Sequence, residues 1–433
     1  MSDASEHARQ AEALSRQLAE IVGAAHVSGV NADLQTFGSL EPDMVVWPAA
    51  APEVARILDT CRAYDAAVGV TGARTRRAAD WDRPARVRVA LNTRRMTNIL
   101  DLDESALTVQ AQCGIRLRNL ELALQRSELT LGFYPVQLHE STLGGLLAEP
   151  PPTAYTPMTG RMIDSVLGVS VARVDGSVIH TRVAPRRATG PDLARLYLGA
   201  GADFGVITGA VLRVMRAPEL VLPLLTLHRE LGTAVESARQ LLALGVRPAR
   251  LRVLEANQAR RELGEPGYAL PAVCIAVLAG PGALVDAQGR AFSEITANLG
   301  GSELPQKLAD TWWAQQREPE REATMARPAR GAALRYSSFA AVLAQLRDKL
   351  GDASGEDAEL WIDAMSLHGL ELWAPRGSAA AEAMDAMGLA SIGRERPPLL
   401  QALREVVDNT GTMLERGPLS EPPRIVGDAD VTR

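Results

Sequence analysis

The stretch that decides the fold is residues 186–208, RRATGPDLARLYLGAGADFGVIT. Its first half has the residues of a helix start, because Pro191 suits the first turn and the acid beside it meets the positive end of the helix. Leu193, Leu196 and Tyr197 are spaced at i, i+3 and i+4, which predicts one apolar face on a short helix.

A glycine-rich loop follows this helix. Three positions of this loop are glycines and have no side chain: Gly199, Gly201 and Gly205. The β-branched residues at 206–208 then predict a strand. A backbone without Cβ atoms can lie close to another backbone or close to a ligand. Both interpretations stay open, and for Gly205 close packing of helix and strand explains the glycine as well as a ligand does.

Length and charge bound the class of protein. A chain of 433 residues is too long for one ordinary core, so we expect two domains. The apolar fraction of 46% is typical of a globular protein. The net charge is -6 and charges of both signs are interspersed, so the sequence shows no basic patch that would bind nucleic acid or an anionic membrane surface.

The cysteines and the N-terminus indicate a reducing compartment. Cys61, Cys113 and Cys274 have neither the number of a disulfide framework nor the spacing of a zinc site. Cys274 lies in an apolar run, which predicts a buried thiol. The N-terminus is too polar for a signal peptide, and no apolar run is long enough to span a bilayer. We therefore predict a cytoplasmic protein without a transmembrane segment or a metal site.

The pattern of elements predicts two kinds of sheet. Residues 44–70 read as strand, helix and strand, which indicates a parallel pairing. Residues 166–183 read as a hairpin around Asp175-Gly176. Beyond a composition change near Ala217-Pro218, the order strand, helix, strand, strand, helix is that of a ferredoxin-like layer.

The motifs occur in a familiar order. The chain resembles FAD-linked oxidases of the vanillyl-alcohol-oxidase type, which share a PCMH-type FAD-binding domain. It is nearest the branch of D-lactate and glycolate dehydrogenases and alkyl-dihydroxyacetonephosphate synthase. The motifs that carry the resemblance are DMVVWPAAAPEVARIL (43–58), GARTR (72–76), STLGGLLAE (141–149), TGRMIDSVLGVSVARVDGSVI (159–179), residues 186–208, and more weakly ALGVRPARLRVLE (243–255) and ADTWWAQQR (309–317).

The resemblance implies an α+β fold. It implies a PCMH-type FAD-binding domain of two α/β subdomains over residues 42–217 and a ferredoxin-like cap or substrate domain over 218–375. Residues 1–41 would form an N-terminal helical arm. Residues 376–433 would form a C-terminal helical segment that returns to the FAD domain.

The resemblance also implies a cofactor, FAD, and the residues that hold it. The implied contacts are Gly72, Ala73, Arg74, Thr75, Thr142, Gly144, Gly145, Gly201, Gly205, Val206 and Ile207. The binding would be non-covalent, because the 72–76 loop lacks the histidine that tethers the flavin in some relatives. The alternative for Gly144 and Gly145 is a tight turn between a loop and a helix.

Three residues are candidates for the chemistry. His368 and His139 are the histidines considered as acid–base groups, and Arg317 matches a family position near the substrate, where its guanidinium would suit a carboxylate or a phosphate. Each has an ordinary alternative, a surface or hydrogen-bonded histidine and a surface ion pair. Neither histidine has the spacing of a metal ligand.

Several positions depart from the family pattern. Arg74 stands where the first loop has its third glycine, and Thr153 replaces a glycine beside three prolines. Residues 200–202 read Ala-Gly-Ala in place of a serine–acid–glycine sequence, and Asp203 follows them. Backbone N–H groups form a pyrophosphate cradle only where no Cβ intervenes. Arg74, Arg76 and Arg77 would compensate as a phosphate clamp, or they form a solvated surface run.

Two functions from different classes follow. The first is an FAD-dependent oxidoreductase that oxidises a small hydroxy acid or a related alcohol by hydride transfer to the flavin. The second is a degenerate, flavin-free relative that acts as a structural or regulatory subunit of an oxidoreductase complex. The expected partners are a small-molecule substrate, no nucleic acid, and either a second copy of the chain or a separate oxidoreductase subunit. The visible spectrum of the purified protein distinguishes the two functions.

Overall fold

A computed structural model describes most of the chain. The described residues are 3–29, 42–73, 86–132, 138–150, 155–184, 190–264, 269–316, 329–351, 358–389 and, near the C-terminus, 403, 404, 406–408, 410, 412 and 413. The predicted site residues Arg74, Thr75 and Arg317, and the neighbouring Arg76, Arg77 and Thr153, lie outside the described residues.

Helices and strands alternate through the first half and again through the second. The helices are α1 (Asp3–Val22), α2 (Ala51–Ala63), α3 (Leu117–Gln125), α4 (Leu143–Ala148), α5 (Ala194–Tyr197), α6 (Leu231–Ala243), α7 (Ala256–Leu263), α8 (Gly282–Asn298), α9 (Gln306–Gln315), α10 (Tyr336–Leu350) and α11 (Ala379–Ala386). The strands of the first half are β1 (Val27–Gly29), β2 (Met44–Val46), β3 (Ala67–Thr71), β4 (Arg88–Asn92), β5 (Ile99–Asp103), β6 (Thr108–Gln112), β7 (Leu129–Thr130), β8 (Tyr155–Thr156), β9 (Gly160–Arg161), β10 (Val166–Ala172), β11 (Val178–His180) and β12 (Val206–Arg213). Those of the second half are β13 (Met215–Arg216), β14 (Leu220–His228), β15 (Arg250–Glu255), β16 (Ala272–Gly280), β17 (Ser302–Glu303), β18 (Ala329–Leu334), β19 (Trp361–Met365) and β20 (Leu370–Pro375).

The first sheet has the strand order β1-β2-β4-β3. Both β2 and β3 run parallel to β4, which confirms the predicted parallel pairing. The two strands of the predicted strand, helix and strand unit, β2 and β3, are not direct neighbours, because β4 lies between them. The helix α1 belongs to the core of this sheet, because Leu14, Leu18 and Val22 are buried with residues of α2. The amphipathic spacing of α1 therefore reflects packing.

The second sheet is antiparallel, in the order β11-β10-β12-β6-β5. Its strands β10 and β11 form the predicted hairpin around Asp175-Gly176. The helices α3 and α4 contribute Leu120, Leu143 and Leu147 to the core beneath this sheet. The helix α4 is short, and Thr142 caps its first turn.

The third sheet has seven strands, in the order β17-β14-β16-β15-β19-β20-β18. It contains the predicted strand, helix, strand, strand, helix order, with α7 added after β15. One face is covered by α6, α8, α10 and α11 over an apolar core. The other face, which we call the open face, carries Arg250, Arg252 and Leu254 from β15, and Met158 of the second-sheet subdomain packs on its apolar part.

The stretch 186–208 differs in part from its prediction. The helix α5 has a single turn, from Ala194 to Tyr197. Leu193 is 51% exposed, so it does not belong to the predicted apolar face, whereas Tyr197 is buried. The reason is local, because the Asp192 carboxylate accepts the Ala194 N–H at 3.1 Å and starts the helix one residue after Leu193.

Other expectations concern the termini and the thiols. Cys274 is buried in β16 as predicted, and Cys61 and Cys113 are buried as well. Within the described part of the chain, no helix combines the length and the apolar character needed to cross a membrane. Near the C-terminus, Thr412 and Met413 lie beside β3 at the edge of the first sheet.

Candidate functional site

The loop after β3 meets the start of α4 at the junction of the first two sheets. A Cβ added to Gly72 would overlap the Thr142 side chain, so the two backbones approach more closely than any other residue at position 72 permits. A Cβ on Gly114 would collide in the same way with the carbonyl of Thr93, next to the end of β4. The carboxyl ends of β3 and β4 and the start of α4 therefore converge at one place.

Adjacent glycines in α4 have different surroundings. The Gly144 N–H donates to the Cys113 carbonyl at 2.7 Å, and a Cβ at Gly144 would lie 3.0 Å from the same oxygen. Gly145 is exposed, and a Cβ there would meet only the Thr142 Oγ1, at 3.2 Å. Gly144 is thus required by packing, whereas the bare backbone of Gly145 faces open space.

An unpartnered amide lies at the same junction. Asn92, the last residue of β4, is 1% exposed and pairs with Thr71 across the parallel ladder. Its Oδ1 accepts the Arg94 N–H at 3.0 Å, but its Nδ2 meets no acceptor among the described residues. A buried donor without an acceptor is costly in a folded protein. A ligand oxygen at the strand ends would satisfy it.

The glycine turn 199–205 supports α4 from behind. The N–H groups of Gly199 and Gly201 donate to the carbonyls of Leu147 and Ala148, both at 2.9 Å, and so satisfy the last turn of α4. Both glycines have positive φ, 79° and 64°. Gly205 packs on β10, since a Cβ there would lie 2.6 Å from the Ala172 carbonyl oxygen.

The substituted residues of this turn are accommodated without backbone strain. Ala200, Ala202 and Asp203 are absent from the positive-φ residues of the described chain, so their Cβ atoms impose no left-handed penalty. Asp203 is 2% exposed and lies 3.9 Å from the Arg404 Nε. The opposite charge offsets the repulsion that a lone Asp203 would exert on a phosphate.

The remaining predicted cofactor contacts fall into two groups. Val206 and Ile207 are buried in β12, where they pair with Ala172 and Val171 of β10. Ala73 is the last described residue of the 72–76 loop.

The close approach at Gly72, the open backbone at Gly145 and the unpartnered amide of Asn92 are the features that fit a dinucleotide such as FAD.

A second polar region lies where the hairpin β8–β9 meets the open face of the third sheet. The Arg161 guanidinium donates to Glu371 Oε1 at 2.6 Å, and the Met158 N–H donates to the Pro248 carbonyl at 3.1 Å. These contacts join residues far apart in the chain. They close the space between the first half of the chain and the third sheet.

Two polar atoms on β20 in this region lack partners. Glu371 and Trp373 are two residues apart and share the open face, and they are 7% and 4% exposed. Neither Glu371 Oε2 nor Trp373 Nε1 has a hydrogen-bond partner among the described residues. Burial raises the pKa of Glu371, and the charge of Arg161 offsets part of the rise. The pair offers one acceptor and one donor.

A network of buried charges lies farther along the open face. Arg252 pairs with Asp363 and, at 2.7 Å, with Glu262, whose Oε2 also accepts the Trp312 N–H at 3.2 Å. The Trp361 N–H donates to Asp363 at 2.8 Å. Each charged group named here has an opposite charge or a hydrogen-bond donor beside it. The network therefore holds Trp312 and α9 on the sheet, and we assign it no catalytic role.

The two predicted histidines lie apart. His368 is exposed in the turn between β19 and β20, where its N–H donates to Ser366 Oγ at 3.2 Å. His139 is half-buried, and its carbonyl accepts the Arg118 N–H at 2.9 Å at the start of α3. His368 is three residues from Glu371 in sequence, whereas His139 precedes α4.

Sequence reasoning missed Asn92, Arg161, Glu371 and Trp373. Glu371 and Trp373 lie in a mostly apolar segment, 361–373, and the carboxylate inside it is a usable signal, because carboxylates are seldom buried without a partner. Among the described residues, no group of acidic, histidine or cysteine side chains is placed to hold a metal ion.

Comparison with protein families gives one match. Residues 42–182 match the family described as FAD binding domain. The match covers β2, β3 and β4 of the first sheet, most of the second sheet and the junction at Gly72, Thr142 and Gly145. The resemblance noted from the motifs is therefore confirmed, and FAD is the cofactor that it supports.

Curated relatives share about a quarter of their residues with this chain. The probable mitochondrial D-lactate dehydrogenase of Danio rerio is 26% identical over 284 residues, which cover 64% of this chain and 55% of that protein. The glycolate oxidase subunit GlcD of Bacillus subtilis (strain 168) is 27% identical over 216 residues, which cover 49% and 46%. The chain thus aligns with about half the length of these relatives.

Solved structures extend the likeness to the whole fold. An alkyldihydroxyacetonephosphate synthase superposes with a TM-score of 0.75 at 17% identity, covering 94% of this chain and 85% of that one. A p-cresol methylhydroxylase superposes with a TM-score of 0.71 at 14% identity, covering 93% and 95%. The predicted α+β fold, with a PCMH-type FAD-binding domain and a cap, is confirmed.

Proposed function

We propose that this chain, which carries an FAD-binding domain of the FAD-linked oxidase type over residues 42–182, oxidises a small hydroxy acid or a related alcohol. FAD, when bound, supplies the acceptor for the hydride that leaves the substrate carbon. The domain boundaries that we propose are 42–217 for the FAD-binding domain and 218–375 for the cap. Within 1–41, α1 and β1 pack on the first sheet. Within 376–433, α11 packs on the third sheet, and the residues from Arg404 to Met413 return to the FAD-binding domain.

The observation that carries the proposal is the unpartnered Glu371 Oε2 beside Arg161. A substrate hydroxyl can donate its hydrogen bond to this oxygen and accept one from the Trp373 N–H. A carboxylate whose pKa is raised by burial is also a better proton acceptor near neutral pH. Glu371 would take the hydroxyl proton as the substrate is oxidised, a role predicted from sequence for His368 or His139.

Arginine next to this position supports an anionic substrate. Arg161 pairs with Glu371, and Arg250 begins β15 on the same face of the sheet. Guanidinium groups bind carboxylates through paired hydrogen bonds. Arg317, which lies outside the described residues, remains a further candidate for this role.

The flavin-free alternative loses one of its physical supports. Its basis was the departures at Arg74, Thr153 and 200–203 together with the proline run, and of these Ala200, Ala202 and Asp203 are buried without positive φ. Arg74 and Thr153 lie outside the described residues. A role beside a second copy of the chain or a separate oxidoreductase subunit stays a prediction, as does the cytoplasmic location.

The test is the reduction of bound flavin by defined hydroxy acids. Wild-type protein, reconstituted with FAD, is mixed without oxygen with glycolate, D-lactate and D-2-hydroxybutyrate, and bleaching of the flavin is followed. At least one of them should bleach it. Glu371→Gln keeps the shape and the contact with Arg161, and it should slow bleaching by about 100-fold or more, since general bases contribute at least that much.

The control variant is Glu303→Gln, an exposed glutamate on the edge strand β17, which should leave bleaching unchanged. Equal FAD content in all three proteins is required for the comparison. The proposal for the substrate class is wrong if none of the three hydroxy acids bleaches wild-type flavin. The role of Glu371 is wrong if Glu371→Gln reacts at the wild-type rate.

A further inference from the structure

A short segment near the C-terminus ties together parts of the FAD domain that are distant in sequence. We call its described residues Arg404, Asp408, Thr410, Thr412 and Met413 the C-terminal clamp. Arg404, Asp408, Thr412 and Met413 are at most 7% exposed. Their burial shows that the segment belongs to the interior of the FAD domain.

The clamp is internally fixed by its own polar groups. The two carboxylate oxygens of Asp408 accept the N–H groups of Thr412, at 2.9 Å, and Met413, at 2.8 Å. The Arg404 guanidinium donates to the Met413 carbonyl at 2.6 Å. The clamp therefore holds one conformation when both ends are docked.

One end of the clamp contacts the glycine turn behind α4. The Nε of Arg404 lies 3.9 Å from Asp203 Oδ1, and both side chains are almost completely buried. Asp203 belongs to the turn whose Gly199 and Gly201 donate to the last carbonyls of α4. Breaking one partner of a buried pair leaves an uncompensated charge, which is strongly unfavourable. The position of the turn, and with it of α4, thus depends on Arg404.

The other end of the clamp contacts the strand that leads to Gly72. The Thr412 carbonyl accepts the Val68 N–H of β3 at 2.7 Å, and Met413 lies beside Val68 as an added parallel bridge. Met413 joins the core beneath the first sheet. Arg86, just before β4, donates to the Thr410 carbonyl at 3.0 Å. The clamp thus covers the outer edge of β3.

We propose that the C-terminal clamp sets the affinity for FAD by holding the two sides of the cradle, β3 with Gly72 and α4 with Thr142 and Gly145, at their correct separation. Arg404 and Asp203 are positioning residues in this arrangement, since they act through the glycine turn. The inference rests on FAD binding by residues 42–182, and it is independent of which substrate is oxidised.

The test compares FAD affinity with the stability of the apoprotein. Arg404→Met removes the positive charge that lies 3.9 Å from Asp203, Asp203→Asn keeps the shape of that residue without its charge, and the double variant removes both charges. FAD is titrated into each apoprotein, and urea unfolding of the same apoproteins is recorded. Arg347→Met serves as the control, because its ion pair with Glu255, at 3.7 Å, is half-exposed and lies in the cap.

We expect Arg404→Met to weaken FAD binding by about tenfold or more, as is typical of coupled sites. Arg404→Met should weaken FAD binding less when it is introduced into Asp203→Asn than when it is introduced into the wild type, because the two residues act as one pair. Arg347→Met should bind FAD like the wild type. If Arg404→Met does not fold, FAD titration of Asp203→Asn and of the double variant tests the inference instead.

The inference is overturned if the folded variants bind FAD within about twofold of the wild type, a change no larger than that expected from independent sites. It is also overturned if FAD affinity falls only in proportion to apoprotein stability, with no coupling in the double variant. Failure of the hydroxy acids to bleach the flavin would count against the proposed substrate and leave these titrations unaffected.

Discussion

Gly72 packs directly on the Thr142 side chain, with no space for a Cβ between them. Thr142 is 2% exposed and caps α4, so it cannot turn away without releasing the Gly145 N–H that it accepts. The contact joins the end of the parallel sheet to the first turn of a helix on the second sheet. It is one of the contacts that limit the separation between the two sides of the proposed FAD cradle.

Replacing Gly72 by alanine should damage both stability and FAD binding. The added methyl overlaps Thr142, and overpacking of this kind costs about 1–3 kcal/mol of unfolding free energy. The displaced cap should also lower the affinity for FAD. Urea unfolding of the apoprotein and FAD titration measure the two effects.

Gly232→Ala is the matched control, since a Cβ at that position in α6 has no neighbour within 4 Å. It should bind FAD normally and be no less stable than wild type. A Gly72→Ala protein with wild-type stability and affinity would show that the Thr142 contact is not tight.

Gly144 and Gly145 should respond differently to alanine. Gly144→Ala forces a Cβ to 2.9 Å from the Cys113 Cβ, so it should destabilise the apoprotein by about 1–3 kcal/mol. Gly145→Ala brings a Cβ to 3.2 Å from Thr142 Oγ1, which offsets the gain in helix propensity, so the stability of the apoprotein should change by less than about 1 kcal/mol. Yet it should weaken FAD binding, because its Cβ occupies the space where the cofactor meets the backbone.

The two measurements are again urea unfolding without FAD and titration with FAD. A stable Gly145→Ala protein with unchanged FAD affinity would mean that the cofactor does not approach this residue. In that case both glycines would serve packing alone.

His228 should make the stability depend on pH. It is buried beside Gly301, its Nε2 lies 3.0 Å from Thr226 Oγ1, and burial lowers its pKa to about 4. The unfolded chain takes up the proton near pH 6.5. The contribution of the neutral imidazole is therefore complete above about pH 6.5 and is lost as pH falls toward about 4.

Between about pH 7.5 and about pH 5, this group should remove about 2 kcal/mol from the free energy of unfolding. His228→Gln keeps a polar side chain beside Thr226 without a titrating group, so its stability should fall less over the same range. Urea unfolding of both proteins at the two pH values measures the difference. Identical losses in both proteins would contradict a neutral, buried His228.

Local patterns predicted the elements of the fold. The alternation through 166–183 and the turn at Asp175-Gly176 were sufficient for the hairpin, because both depend on neighbouring residues only. The exposure of Leu193 was not predictable in this way, since the Asp192 hydrogen bond shortened α5 and moved Leu193 outside it. Such competition between a side chain and the backbone is not visible in apolar spacing.

The candidate site was less predictable than the fold. Thr142, Gly144 and Gly145 were identified from a motif, but the packing of Gly144 depends on Cys113, which follows β6 and lies 31 residues earlier in the chain. Glu371 was missed because its partner Arg161 is 210 residues away in sequence. A contact of that range depends on how the cap docks, and no local pattern encodes it.

The flavin content of the purified protein tests directly whether this chain binds FAD. The protein is purified, its visible spectrum is recorded, and the flavin released on denaturation is counted against the chain. We expect a yellow protein that holds close to one FAD per chain, either as purified or after incubation with FAD. A colourless protein that stays colourless after that incubation would contradict it.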